Sequence, residues 1–238
     1  MKFRTPAPRD LLPPLAGIAL VALFITLGFW QLDRAEQKRA LEEAFADTGS
    51  YVPVTAAMDY ELYQPLTASG RYLHERQFLI DNMILDGRLG YYVVTPFEYE
   101  IGEPLLLVNR GWVATKAASE PAGISGAPNE GVTTVKGRAG QLPRVGIRAG
   151  EAFMDAGGGW PRIANWPTLD ELSASLGRDV LPFVLLADPE PGSTLIRRWQ
   201  PQQAGPMRHI GYAFQWFALA LAVVVVAIVV YRKQRLRQ

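Results

Sequence analysis

The chain has 238 residues, with 24 Lys and Arg against 23 Asp and Glu, so its formal charge of +1 gives no electrostatic case for nucleic-acid binding. The absence of cysteine excludes disulfides, thiol nucleophiles and thiolate metal sites. Its 49% hydrophobic content is concentrated in two uncharged runs near the ends, with a mixed segment between them.

The first run, residues 11–30 (LLPPLAGIALVALFITLGFW), reaches about 30 Å as a helix, the thickness of a hydrocarbon core. Pro13 and Pro14 fall in its first turn, where a missing N–H costs little. Residues 212–231 (YAFQWFALALAVVVVAIVVY) form a second such run, with Gln215 near its outer end. Lys2, Arg4 and Arg9 precede the first run, and Arg232, Lys233, Arg235 and Arg237 follow the second. Short basic flanks stay on the cytoplasmic side, which puts tails 1–10 and 232–238 inside and residues 31–211 outside. The exit Leu27-Gly28-Phe29-Trp30-Gln31 is too bulky for signal-peptide cleavage, so the run reads as an uncleaved anchor. The ten residues ahead of it leave no room for a mitochondrial presequence. The expected location is a bacterial inner membrane, with the main domain in the periplasm.

After Trp30 the polarity changes. Gln31, Arg34 and Lys38 are spaced to share one face of a helix that continues past the membrane surface, and Gly49 is its expected stop. Glu36, Arg39, Glu42 and Glu43 make the rest a solvated stalk, with Trp30 in the interfacial belt. Short branched and aromatic runs follow at 52–55, 70–73, 77–81, 91–96, 105–109, 132–138, 180–187 and 194–199, separated by turn formers such as Asp86-Gly87 and Asp188-Pro189. One helix interrupts them: Thr168-Leu169-Asp170-Glu171 is a capping box and Gly177 a stop. The fold class is an α+β membrane protein. Two terminal transmembrane helices flank a mainly antiparallel β domain, which can extend to a partly closed barrel. Loops are expected at 117–131 and 139–162, and neither has the pattern of a phosphate cradle.

The inventory for catalysis is thin. His74 and His209 are the only histidines, no serine stands in a G-x-S-x-G elbow, and neither HExxH nor EF-hand spacing occurs. No catalytic residue is assigned. His74, in Tyr72-Leu73-His74-Glu75-Arg76, reads as a turn or surface residue.

His209 differs because it opens the second apolar run, with Arg208 beside it. In a helix it shares a face with Tyr212 or Ala213, Trp216 and Ala220. The two alanines leave a shallow groove for another helix or for a flat ligand. A neutral imidazole can ligate haem iron, and a neighbouring arginine can pair with a propionate. The same residues also fit an ordinary interfacial anchor with small residues for helix packing.

Four stretches then match in order: Leu27-Gly28-Phe29-Trp30-Gln31-Leu32-Asp33-Arg34 with Lys38; Gly87-Arg88-Leu89-Gly90-Tyr91-Tyr92-Val93-Val94-Thr95-Pro96-Phe97; Val108-Asn109-Arg110-Gly111-Trp112-Val113; and His209-Ile210-Gly211-Tyr212-Ala213-Phe214-Gln215-Trp216-Phe217. In these the chain resembles the Surfeit-locus family of cytochrome c oxidase assembly factors. The resemblance implies a membrane-bound, chaperone-like factor with no reaction of its own, which assists maturation of the haem centres of a haem-copper oxidase. The implied partners are the oxidase catalytic subunit and the lipid bilayer, with haem a synthase as a further candidate. The implied cofactor is haem a, ligated by the histidine ahead of the second span, here His209. Trp30, Gln31 and Arg34 would shape the same site or hold the two spans together. With Arg208, Tyr212 and Trp216 they complete the candidate haem-binding set.

Alternatives stand beside this reading. The His209 cluster could be a helix-contact surface of a haem-independent scaffold that steadies an oxidase subunit. A tethered periplasmic enzyme would need His74 folded close to a serine and a carboxylate. In the middle motifs, Gly87 and Gly90 suit tight turns and Pro96 is expected to end its strand or place it at an edge. Asn109-Arg110-Gly111-Trp112 is either a bend that faces the membrane or a bulge packed in the core.

Overall fold

Two long helices form one unit (residues 1–43 with 201–238), and the strand-rich segment 44–200 forms a second. The structure, a computed structural model, describes residues 8–46, 49–57, 59–115, 131–143, 150–153, 159–200 and 205–236. Residues 117–130 of the expected loop at 117–131, and 144–149 and 154–158 of that at 139–162, lie outside the described residues.

The first helix, α1 (Pro8–Ala46), carries the apolar run and the charged stalk without a break. Pro13 and Pro14 lie inside the helix rather than in its first turn as expected, because α1 already begins at Pro8, so each removes one i→i−4 bond. The last helix, α3 (Pro206–Arg235), begins ahead of residue 212 and takes in His209. Pro206 stands in its first turn, where a fixed φ favours helix initiation. Arg232, Lys233 and Arg235 lie in its last turn, where positive charge complements the exposed carbonyls. Both helices are long and apolar enough to cross a membrane.

The strand unit contains β1 (Val52–Pro53), β2 (Pro65–Tyr72), β3 (Phe78–Leu85), β4 (Arg88–Glu98), β5 (Leu105–Ala114), β6 (Thr133–Gly140), β7 (Arg162–Ala164), α2 (Leu169–Leu176) and β8 (Val180–Ala187). The strands are ordered β1-β2-β6-β8-β5-β4-β3-β7, and an added β2–β4 pairing closes five of them into a barrel. Most pairs are antiparallel, but β5–β8, β1–β2 and β3–β7 are parallel. The long β4 makes closure possible by changing partners. It pairs with β3 up to Val94, then with β2 at Phe97 and Glu98, while β5 runs along its other side.

Alternation along β5 sets up two cores. Leu106 and Val108 point into the barrel with Leu66, Phe97, Phe183 and Leu185. Leu107 and Trp112 face the other side, among Phe78, Val94, Val184 and Leu172 of α2. Residues 105–113 are therefore buried on both faces, which explains the near-continuous apolar run at the start of β5. The expected capping box holds α2: Thr168 Oγ1 accepts from Glu171 N at 3.2 Å, and Thr168 N donates to Glu171 Oε2 at 2.8 Å. Gly177 ends the helix in the left-handed conformation at φ 65°.

Three further expectations are corrected. Pro96 neither ends β4 nor lies at an edge, since it pairs with Leu107 inside the barrel wall. Its carbonyl accepts from Leu73 N at 2.8 Å, so its imino nitrogen faces that same side, at the gap where β4 passes from β3 to β2. The Leu73 carbonyl, which an N–H at that position would have met, accepts instead from Arg76 N at 2.9 Å. Residues 194–199 do not form a strand, and contribute only a bridge between Ile196 and Trp112. Arg197 instead spends its donors on the carbonyls of Arg110 and Asp188. Conversely, β7 arises within the stretch read as a loop, by parallel pairing with Phe78–Ile80.

Candidate functional site

In α1, residues 17, 21, 24, 28, 31, 35 and 38 are shielded to some degree while most of their neighbours are exposed. Their mean step of about 3.5 residues is that of a left-handed coiled-coil seam. In α3 the shielded positions are 206, 209, 210, 213, 216, 217, 220 and 223. The seams meet antiparallel, because Phe24 stacks on Trp216 at 5.7 Å while Gln31 meets His209 further along. Phe29 packs edge-on against Phe217 at 5.5 Å. Small residues line the seam: Gly28 and Ala35 are buried in α1, and Ala213, at 1% exposure, and Ala220 are buried in α3.

His209 is half-buried in this seam, and its Nδ1 lies 2.8 Å from Gln31 Oε1. Among the described residues this is the ring's only hydrogen bond, and Nε2 has no partner among them. The groove beside Ala213 and Ala220 is filled by α1. A flat ligand could therefore not lie in it.

The remaining candidates surround the seam. Trp216 is half-buried against Phe24, and Tyr212 points outward at 45% exposure. Trp30 is 49% exposed, and the Arg34 guanidinium lies 5.7 Å from its ring centroid. Arg34 does not share the inner face with Gln31 and Lys38, because Ala35 occupies the seam at that level. Its Nη1 donates to Gln37 Oε1 at 2.8 Å, and Gln37 Nε2 donates to Asp33 Oδ2 at 2.8 Å. Arg208 is exposed and has no ion-pair partner among the described residues. The structure thus brings Gln31, His209 and Trp216 into one seam and leaves Trp30, Arg34, Arg208 and Tyr212 on its outer surfaces. The sequence reading missed Phe24, Gly28, Ala35 and Phe217 as seam residues, although the 3.5-residue spacing of 24, 28, 31, 35 and 38 carries the signal.

His74 lies elsewhere, in a single 3₁₀ turn, with its ring 5.4 Å from that of Tyr72. Burial, then the charge of Arg110, holds its pKa below the ordinary histidine value. Burial likewise pushes Tyr72 up to about 12. The Arg110 guanidinium lies 5.2 Å from the Tyr72 ring centroid. Arg110 and Trp112 are both buried at a register shift between β4 and β5, with Gly111 at φ 130°. Trp112 Nε1 donates to Met83 O at 2.8 Å. This motif is therefore a bulge packed in the core. Among the described residues, no group of three or more His, Cys, Asp or Glu is placed to hold a metal ion.

Comparison with known proteins supplies what this geometry lacks. A family model described as the SURF1 family matches residues 18–221, from within α1 to within α3. The chain belongs to the SURF1 family. The SURF1-like protein of Rickettsia felis is 26% identical over 231 residues, covering 92% of this chain and 96% of that protein. The SURF1-like protein of Drosophila melanogaster is 26% identical over 246 residues, covering 90% of this chain and 76% of its own. A shorter match, 28% identical over 104 residues, covers 40% of this chain and 26% of the cytochrome oxidase assembly protein SHY1 of Saccharomyces cerevisiae. The SURF1-family match takes in the helix seam and the closed barrel together, so both units belong to what is shared.

Proposed function

We propose that this SURF1-family protein assists assembly of a haem-copper cytochrome c oxidase by holding haem a for the catalytic subunit, without a reaction of its own. The observation that carries the haem role is His209: one ring nitrogen is engaged by Gln31, and Nε2 has no protein partner among the described residues. An imidazole held through one nitrogen and open at the other is the usual state of a histidine that ligates a metal. His209 would hold the iron through Nε2. Arg208 would offer its charge to a propionate, and Tyr212 and Trp30 would supply exposed aromatic surface. Haem a supplies the iron and macrocycle that the oxidase needs, while the protein binds and orients them. Both apolar helices cross a bacterial inner membrane, with the termini in the cytoplasm and the β domain in the periplasm. Haem a synthase fits as the donor.

The test is the visible spectrum of detergent-purified protein from haem a-producing cells. Wild type should carry haem and His209→Ala should not. A haem-free wild type, or equal occupancy in the variant, overturns the ligand role.

One observation favours a second reading. Ala213 and Ala220 are packed against α1, as expected of a structural helix contact. If the seam serves only a haem-independent scaffold, His209→Ala will still co-purify with the catalytic subunit and support full oxidase activity.

A further inference from the structure

The Gln31–His209 contact fixes more than the ring's position. A carboxamide oxygen only accepts hydrogen bonds, so a neutral imidazole facing it at Nδ1 must donate from that nitrogen. With the ring proton on Nδ1, Nε2 keeps its lone pair. A neutral imidazole free in water prefers the opposite tautomer, with the proton on Nε2, where the lone pair available to a metal is on Nδ1. We infer that Gln31 is a positioning residue that selects the Nδ1–H tautomer of His209 and thereby makes Nε2 the ligating atom.

The seam is built to sustain that selection. Gln31 lies between two buried small residues, Gly28 and Ala35, and its side chain reaches across to the opposite helix. Both partners are partly shielded, which limits competition from water for Nδ1. The geometry also makes the arrangement two-way. With the amide turned over, its N–H₂ would donate to Nδ1, the ring proton would move to Nε2, and the outward nitrogen would have no lone pair for iron. Because Gln31 is on α1 and His209 on α3, ligand competence depends on the two helices being paired. This inference rests on the proposed haem role for its iron; the tautomer itself does not.

The test uses the full chain with ¹⁵N-histidine in detergent, in a His74→Gln background that leaves one histidine. Without haem, at a pH where the ring is neutral, the expected spectrum shows a protonated Nδ1 and a pyridine-like Nε2. Gln31→Leu should shift the proton to Nε2, and Gln31→Glu, which keeps an acceptor, should restore it to Nδ1. Ferric protoporphyrin serves as the binding probe. Gln31→Leu should weaken it by about 10- to 100-fold, while Gln31→Glu retains binding with a lower iron midpoint potential. A wild-type ring protonated on Nε2 overturns the inference, as does an unchanged tautomer in Gln31→Leu. If that variant fails to fold, the wild-type spectrum still decides. If wild type shows the Nδ1–H tautomer but takes up no porphyrin, the haem reading falls and the tautomer assignment stands. If His209→Ala abolishes haem while the wild-type proton is on Nε2, the haem reading stands and Gln31 loses its role.

Discussion

The ring edge of Phe217 lies where a side chain at Gly28 would have to go: a Cβ added there would sit 2.5 Å from Phe217 Cε1 and 2.6 Å from Cζ. One turn further along, Gln31 meets His209. The Phe217 ring thus packs on Gly28 one turn from the Gln31–His209 contact.

Gly28→Leu should separate the helices, with an overpacking cost of about 1–3 kcal/mol. The cysteine-free sequence permits a clean assay by oxidative cross-linking of a Phe24→Cys, Trp216→Cys pair, at positions whose rings stack. The cross-link should form readily with Gly28 present and several-fold less with Gly28→Leu, and haem occupancy should fall with it. An unaltered yield would mean that Phe217 yields freely and that Gly28 is not a pairing determinant.

Where the sequence was informative, the signal was local. Uncharged length gave the two helices, branched runs gave most strands, and Thr168 with Glu171 and Gly177 gave both ends of α2. The features that escaped depend on partners distant in the chain. Pro96 argues against an interior strand until β4 is seen to change partners beside it. Residues 162–164 carry little strand signal and are strands only because Phe78–Ile80 offer a parallel edge. The same limit holds at the site. Spacing placed His209 on a face with Ala213 and Ala220, but only the packed pair shows that α1 fills that groove. Gln31 was legible as a polar residue at a membrane exit; that it meets Nδ1 was not.

His74 gives a pH dependence with a definite sign. Burial first, and Arg110 second, lower its pKa in the folded chain below the ordinary 6.5. The unfolded chain therefore binds the proton more readily. This contribution to stability is complete above about pH 6.5 and is lost as the pH falls from there through the folded-state value. Thermal unfolding of the full chain in detergent between pH 7.5 and 5 should show a fall in melting temperature that is shallower in His74→Gln. Parallel slopes for the two proteins would show that partial burial and the charge of Arg110 do not act on His74.

Thr95 should be improvable. Its side chain is fully buried in β4, and Oγ1 has no hydrogen-bond partner among the described residues. A buried hydroxyl without a partner carries a desolvation cost that a methyl group of similar shape does not. Thr95→Val should stabilise the chain by about 1 kcal/mol and raise the melting temperature by roughly 2–4 °C. A lower melting temperature would instead reveal a bound water or other partner for the hydroxyl.

Trp112 separates a structural from a functional reading of the middle motif. The indole is 2% exposed, donates to Met83 O, and packs so tightly over Gly90 that a Cβ there would meet the ring at 2.5 Å. Its backbone bridges Ile196 in both directions, at 2.8 and 2.9 Å. Trp112→Phe would retain the bridge but strand the Met83 carbonyl and leave part of the indole volume empty, at a cost of about 2–4 kcal/mol. Thr168→Ala, which removes the cap of α2, should cost only about 1 kcal/mol. Chemical denaturation of the two variants should reproduce that order. Haem occupancy of the folded Trp112→Phe protein should equal that of wild type, because its packing belongs to the β4–β5 bulge and the proposed haem ligand lies in the α1–α3 seam. Loss of haem from Trp112→Phe at unchanged stability would contradict both assignments and make the motif part of the binding machinery.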